Sequence, residues 1–95
     1  MAPRPKQTTT SVSKTTFRLY APEANEVKLA GDFNGWQPQN LRKSKSAGYW
    51  EASLSLKPGQ YQYKFVVDGD WRIDPSHGNT VPNSLGTINS LIQVG

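Results

Sequence analysis

Seven carboxylates are spread along the 95-residue chain: Glu23, Glu26, Asp32, Glu51, Asp68, Asp70 and Asp74. Glycoside hydrolysis needs two of them flanking one bond, about 5–9.5 Å apart. Asp68 and Asp70 bracket Gly69, and Asp32 sits in a glycine- and asparagine-rich run. Turn chemistry accounts for all three. The single histidine, His77, lies in a polar loop with no nucleophile placed beside it. There is no cysteine, so neither a disulfide framework nor a thiolate metal site is available. The sequence therefore supplies no catalytic group and no metal-ligating cluster, and no cofactor is expected. What remains is a set of three large flat rings, Trp36, Trp50 and Trp71, and the polar side chains around them.

The elements that must carry these rings are short strands. A chain of this length is one small domain. Residues 1–14 are rich in Pro, Thr and Ser and read as a disordered tail, and residues 15–95 form the module. Thr16–Tyr20 alternates with period two, as does Glu26–Ala30. Gly31–Trp36 is turn-rich, and residues 37–47 read as polar loop. Trp50, Ala52, Leu54 and Leu56 alternate with polar residues, and Tyr61, Tyr63, Phe65 and Val67 do so again after Pro58-Gly59. Asp68-Gly69 is a two-residue hairpin signal. Residues 74–86 read as a long polar loop, and Thr87–Val94 as the last strand. Short strands with frequent turns indicate an all-β antiparallel sandwich.

Pairing arithmetic then places the rings. If Pro58-Gly59 closes a hairpin, Leu56 pairs with Tyr61, Leu54 with Tyr63, Ala52 with Phe65 and Trp50 with Val67. Paired residues share a face, so this face is the core and Trp50 belongs to it. On the other face Glu51 lies near Lys64, within reach of a surface ion pair. Across Asp68-Gly69, Val67 pairs with Asp70 and Val66 with Trp71. Trp71 thus falls on the outer face, diagonal to Lys64. A tryptophan exposed there calls for an explanation. A pyranose has an apolar C–H face and a polar rim. An indole plate with polar neighbours matches both, which is the usual division of labour in small-ligand sites. Folding over Val66 as a lid is the alternative for Trp71, and plugging the end of the sandwich is the alternative for Trp36. Asn89 lies on the face opposite Ile88, Ile92 and Val94, where an ordinary solvent-facing polar residue is the simpler expectation.

Several motifs occur in order: Phe17-Arg18-Leu19-Tyr20-Ala21-Pro22, Val27-Lys28-Leu29-Ala30-Gly31-Asp32-Phe33-Asn34-Gly35-Trp36, Tyr63 through Trp71, Asp74-Pro75, and Leu85-Gly86-Thr87-Ile88-Asn89. With them the chain resembles the family-48 carbohydrate-binding modules over residues 15–94. The likeness is greatest to the glycogen-binding domains of AMP-activated protein kinase beta subunits. It extends to the N-terminal domains of branching and debranching enzymes. The resemblance implies an immunoglobulin-like, early-set β-sandwich that binds glycogen, starch or maltodextrins without cleaving them. By resemblance, Trp36 and Trp71 stack on glucose rings, Lys64 bonds sugar hydroxyls, and Leu85, Thr87 and Asn89 complete the site. His77 matches no sugar-contacting position. The loops at 37–48 and 76–84 follow no fixed family pattern.

Other classes fit less well. Some sandwiches of this kind act as protein-interaction modules and lack the tryptophans, whereas this chain keeps both. An accessory domain of a branching or debranching enzyme, or of a kinase regulatory subunit, would bring a linked or associated enzyme as partner. The net charge of +4 and the aromatics are compatible with nucleic acid. However, the basic residues are dispersed: Arg4 and Lys6 in the tail, and Arg42, Lys43 and Lys45 in one loop. No nucleic-acid partner is expected. No apolar run approaches the roughly 20 residues of a membrane span, and the N-terminus has no apolar signal core. A cytoplasmic location, with no membrane partner, is the expectation.

Overall fold

The computed structural model describes residues 12–76 and 78–95. His77 and most of the expected tail, residues 1–11, lie outside the described residues. The first strand, β1 (Ser13–Tyr20), starts two residues before the expected boundary of the module. It is followed by β2 (Val27–Gly31), a 3-10 turn (Asp32–Asn34), β3 (Gln39–Asn40), β4 (Arg42–Lys43), β5 (Tyr49–Leu56), β6 (Gly59–Val67), β7 (Asp70–Arg72), β8 (Thr80–Pro82) and β9 (Ile88–Val94).

These strands form two antiparallel sheets packed face to face. One has the order β1-β5-β4, the other β3-β2-β6-β9-β8, with β7 also paired to β6. The fold is the all-β antiparallel sandwich expected from the alternation, of the immunoglobulin-like kind that the resemblance implies. Its core is built from one face of each sheet. Phe17, Leu19, Trp50 and Leu56 come from the smaller sheet; Val27, Leu29, Tyr63, Phe65, Val67 and Val94 come from the larger. The Phe17 and Tyr63 rings meet edge-on across the interface at 4.9 Å, and Tyr63 meets Phe65 at 5.9 Å. Ala52, Leu54, Tyr61 and Ile92 are half-buried at the margin of this cluster.

Pro58-Gly59 does not close a hairpin. β5 pairs with β1 and β4, while β6 pairs with β2, β9 and β7. Both edges of β6 are occupied, so the chain crosses at Pro58-Gly59 from one sheet to the other. Trp50, Leu56, Tyr63, Phe65 and Val67 still share the core because facing strands of a sandwich show the same alternation as adjacent ones. The expected Glu51–Lys64 contact is lost with the hairpin. Glu51 lies on the smaller sheet and pairs with Arg18 at 3.2 Å.

Two stretches read as loop contain strand. Residues 37–47 include β3 and β4, with Leu41 between them buried in the core and its N–H bonded to the Val27 carbonyl at 2.8 Å. Residues 74–86 include β8, paired with β9 through Thr80–Ser90, Val81–Asn89 and Pro82–Ile88. The Asp68-Gly69 turn is as expected. Both residues have positive φ, 49° and 92°, and the register pairs Val67 with Asp70 and Val66 with Trp71.

Candidate functional site

Trp36 is held by the turn that precedes it. Gly31 approaches β6 so closely that an added Cβ would lie 2.6 Å from the Gln62 carbonyl oxygen. The Asn34 side chain accepts the Gly31 N–H at 3.0 Å and donates to the Leu29 carbonyl at 3.1 Å, which tightens the 3-10 turn onto the end of β2. Gly35 and Trp36 then both adopt left-handed backbone, with φ of 65° and 62°. For tryptophan that conformation costs about 1–2 kcal/mol. Two bonds from Asp32 offset it. Its Oδ1 accepts the Trp36 indole N–H at 3.0 Å, and its Oδ2 accepts the Gln62 backbone N–H at 2.8 Å. Asp32 thus braces the ring against β6, beyond the turn role read from sequence.

Trp71 arrives from the other direction. It sits on β7 opposite Val66, 49% exposed, on the outer face of the larger sheet. The tight turn behind it is anchored by Asp68, whose Oδ1 accepts the N–H groups of Asn25 and Glu26 at 3.0 and 2.9 Å. Beyond Trp71 the chain is fastened by a buried polar cluster. Tyr63 donates its hydroxyl to Asp74 Oδ2 at 2.7 Å, and the Asp74 N–H reaches Ser90 Oγ at 2.7 Å. Burial pushes the Tyr63 phenol far above its ordinary range, and its hydrogen bond to Asp74 and the Asp74 charge push it further the same way.

Lys64 and Gln62 stand on the outer face of β6, two residues apart as alternation requires. The loop joining β8 to β9 closes over them. Asn83 organises it. Its Oδ1 accepts the N–H groups of Leu85 and Thr87 at 2.9 and 3.2 Å, the mark of an Asx turn. Leu85 is presented at the tip, 87% exposed. Asn89 is covered by this loop and only 6% exposed, so it is not an ordinary solvent-facing residue of the strand.

Trp36, Lys64, Trp71, Leu85, Thr87 and Asn89, the six residues singled out from sequence, line one open cleft of about 500 Å³. The remaining lining residues are Gln62, Asn83 and Ser84. Gln62 was detectable by its spacing from Lys64. Asn83 was detectable as a turn-forming residue ahead of Leu85-Gly86, but its contacts were not. Among the described residues Lys64 is the only charged one in the lining, and its Nζ donates to Thr87 Oγ1 at 3.2 Å. No carboxylate lines the cleft, and among the described residues no His, Cys, Asp and Glu cluster could hold a metal ion. The arrangement offers two indole plates, one exposed aliphatic tip and a polar floor. It can bind a ligand with apolar faces and a hydroxyl rim.

Known proteins resemble this chain over most of its length. The family model for the glycogen recognition site of AMP-activated protein kinase matches residues 14–95. The human 5'-AMP-activated protein kinase subunit beta-1 is 44% identical over 80 residues, 84% of this chain and 28% of that subunit. Protein PTST homolog 2, chloroplastic, of Arabidopsis thaliana is 42% identical over 79 residues, 83% of this chain and 14% of that protein. Among solved structures, a maltogenic amylase from S. marinus superposes with a TM-score of 0.66 at 25% identity, over 84% of this chain and 13% of the amylase. The chain thus spans a small part of these relatives' length.

Proposed function

Because this chain belongs to the family of the glycogen recognition site of AMP-activated protein kinase, we propose that it is a non-catalytic module that binds α-1,4- and α-1,6-linked glucans through the cleft between Trp36 and Trp71. The observation that carries this reading is the convergence of two indoles, Leu85, Lys64, Thr87 and Asn89 on one cleft with no carboxylate in its lining. The indoles stack on the C–H faces of successive glucose units, and Leu85 packs against the apolar part of the chain. Lys64, Thr87 and Asn89 take the hydroxyl rim. Hydrolysis has no place in the cleft, since it offers neither a general acid nor a nucleophile.

In the matched kinase subunit, chloroplastic protein and amylase, the part similar to this chain is a small fraction of a longer protein. A linked or associated enzyme, brought to glycogen or starch by this domain, is the partner this reading assigns. The cytoplasmic location expected from sequence belongs to the same proposal, and imaging the tagged protein in its own cell tests it.

Electrophoresis through a gel containing amylopectin, beside a plain gel, is the direct assay. The wild-type chain is retarded, and the Trp36→Ala/Trp71→Ala double variant, with an unchanged circular dichroism spectrum, is not. A folded double variant that is retarded like wild type would move the site elsewhere. A wild-type chain that runs freely in both gels would favour a protein-interaction role.

A further inference from the structure

The hydrogen bonds beneath the cleft have a direction set by the backbone. Asn83 turns one end of its amide to the N–H groups of Leu85 and Thr87. A backbone N–H only donates, so that end must be the oxygen. The Asn83 Nδ2 therefore faces the other way and donates to Thr87 Oγ1 at 2.7 Å and to Asn89 Oδ1 at 3.1 Å. This fixes the orientation of the Asn89 amide in turn. Its Nδ2 donates to Gln62 Oε1 at 3.0 Å. Gln62 is then fixed as well, with its Nε2 turned away from Asn89 and without a partner among the described residues.

Thr87 is polarised by the same network. Its Oγ1 accepts from Asn83 Nδ2 and from Lys64 Nζ, so both lone pairs are taken and its proton has no acceptor among the described residues. Lys64 can only donate. Three neighbouring groups in the lining, the Gln62 amide, the Thr87 hydroxyl and the Lys64 ammonium, thus all offer N–H or O–H.

We infer that Gln62 is a ligand-contacting, specificity-determining residue and that the floor of the cleft is a donor surface, which recognises acceptor oxygens. The inference rests on the glucan reading and deepens it. Sugar hydroxyls bind this floor through their lone pairs, with their own protons turned to neighbouring hydroxyls of the glucan or to water. Ligands whose polar groups can only donate are excluded, because on binding they would cover these donors with further donors.

The test is maltoheptaose calorimetry on the wild-type chain, Gln62→Met and Gln62→Glu, with thermal midpoints checking the fold. Gln62→Met removes the donor, and with it the oxygen that accepts from Asn89, at similar volume and lowers affinity by at least about threefold to tenfold, the value of one hydrogen bond. Gln62→Glu keeps the oxygen that accepts from Asn89 but replaces the donor by an acceptor, and its charge engages Lys64. At pH 7 it loses more than Gln62→Met does. Below about pH 5 the introduced carboxyl gains a proton, becomes a donor again and recovers affinity. The charged groups next to this position, Lys64 and Asp32, are common to all three proteins, so the wild-type pH profile is the control. Thr87→Val lowers affinity and Thr87→Ser retains it, which reads the same polarity at an exposed loop residue. Equal affinity for Gln62→Met and wild type, or undiminished binding by Gln62→Glu at pH 7, would overturn the inference alone. Failure of the wild-type chain to bind maltoheptaose would overturn the glucan reading and this inference together.

Discussion

Replacing Asp32 by Asn separates the brace on Trp36 from the ring itself. In the wild-type chain both carboxylate oxygens are used, one by the Trp36 indole N–H at 3.0 Å and one by the Gln62 backbone N–H at 2.8 Å. A carboxamide has a single oxygen, so one of the two N–H groups must face an NH₂ donor. Hydrogen bonds to a charged acceptor are worth about 1.5–3 kcal/mol when well shielded. At this exposed turn about 1–1.5 kcal/mol is the appropriate figure. That is comparable to the roughly 1–2 kcal/mol that left-handed backbone costs at Trp36. With the brace weakened, the strained turn keeps the Asn34 bonds and the Trp36 N–H bond to the Gly31 carbonyl but loses the contact that holds the indole, and the stacking orientation becomes a minority state. Apparent affinity falls by the fraction still competent, about fivefold to tenfold.

A double-mutant cycle reads this directly. Trp36→Phe keeps a stacking ring but has no N–H for Asp32. Maltoheptaose calorimetry on the wild type, both single variants and the double variant should show Asp32→Asn costing about fivefold to tenfold alone and less than twofold in the Trp36→Phe background. Equal losses in both backgrounds would refute the reasoning, because Asp32 would then act only through Gln62 and the stability of β6.

The other expectations concern the core and the charge. Tyr63 titrates far higher folded than unfolded, so the unfolded chain ionises first above about pH 10. Stability from this group is present below that pH and lost above it, by up to about 1.4 kcal/mol per pH unit. Denaturant titrations from pH 7 to 11.5 should show Tyr63→Phe less stable than wild type at pH 7 and the difference shrinking above pH 10; a constant difference argues against the shift. Leu29→Ala, at a fully buried position, should cost about 2–5 kcal/mol in urea unfolding. Leu54→Ala, at the half-buried margin, should cost less, and the reverse order would mean the core is centred elsewhere. Maltoheptaose affinity should change little between about 50 and 200 mM salt, since a neutral ligand releases no condensed counterions. Weak sugar binding beside strong, salt-sensitive oligonucleotide binding would count against the glucan reading.

What the sequence determined by itself is the set of features that depend on neighbours along the chain. Period-two alternation assigns a residue to a face whatever its strand pairs with, so Trp50, Tyr63 and Phe65 were legible as core and Lys64 as outer surface. Asp68-Gly69 permits one tight turn, and that turn fixes Val66 opposite Trp71 with no further information. Trp36 and the Leu85-Gly86-Thr87-Ile88-Asn89 run were legible by resemblance, because short motifs keep their order even when their contacts are unknown.

Tertiary structure decided everything that depends on which strands are neighbours in space. Pro58-Gly59 is compatible with a hairpin and with a crossover, and the alternation of β5 and β6 is the same in both. Only the claim of β2 and β9 on the edges of β6 selects the crossover. Leu41 gives a lone apolar residue in a polar run no period to be read from, yet it fills the core between β3 and β4. The relay from Asn83 through Asn89 to Gln62 joins two stretches of chain, the last loop with its strand and β6. Its polarity follows from two backbone N–H groups in a loop, and it reaches Gln62 only because β9 lies beside β6. Hydrogen-bond direction is a property of that closed arrangement, and no spacing along the chain encodes it.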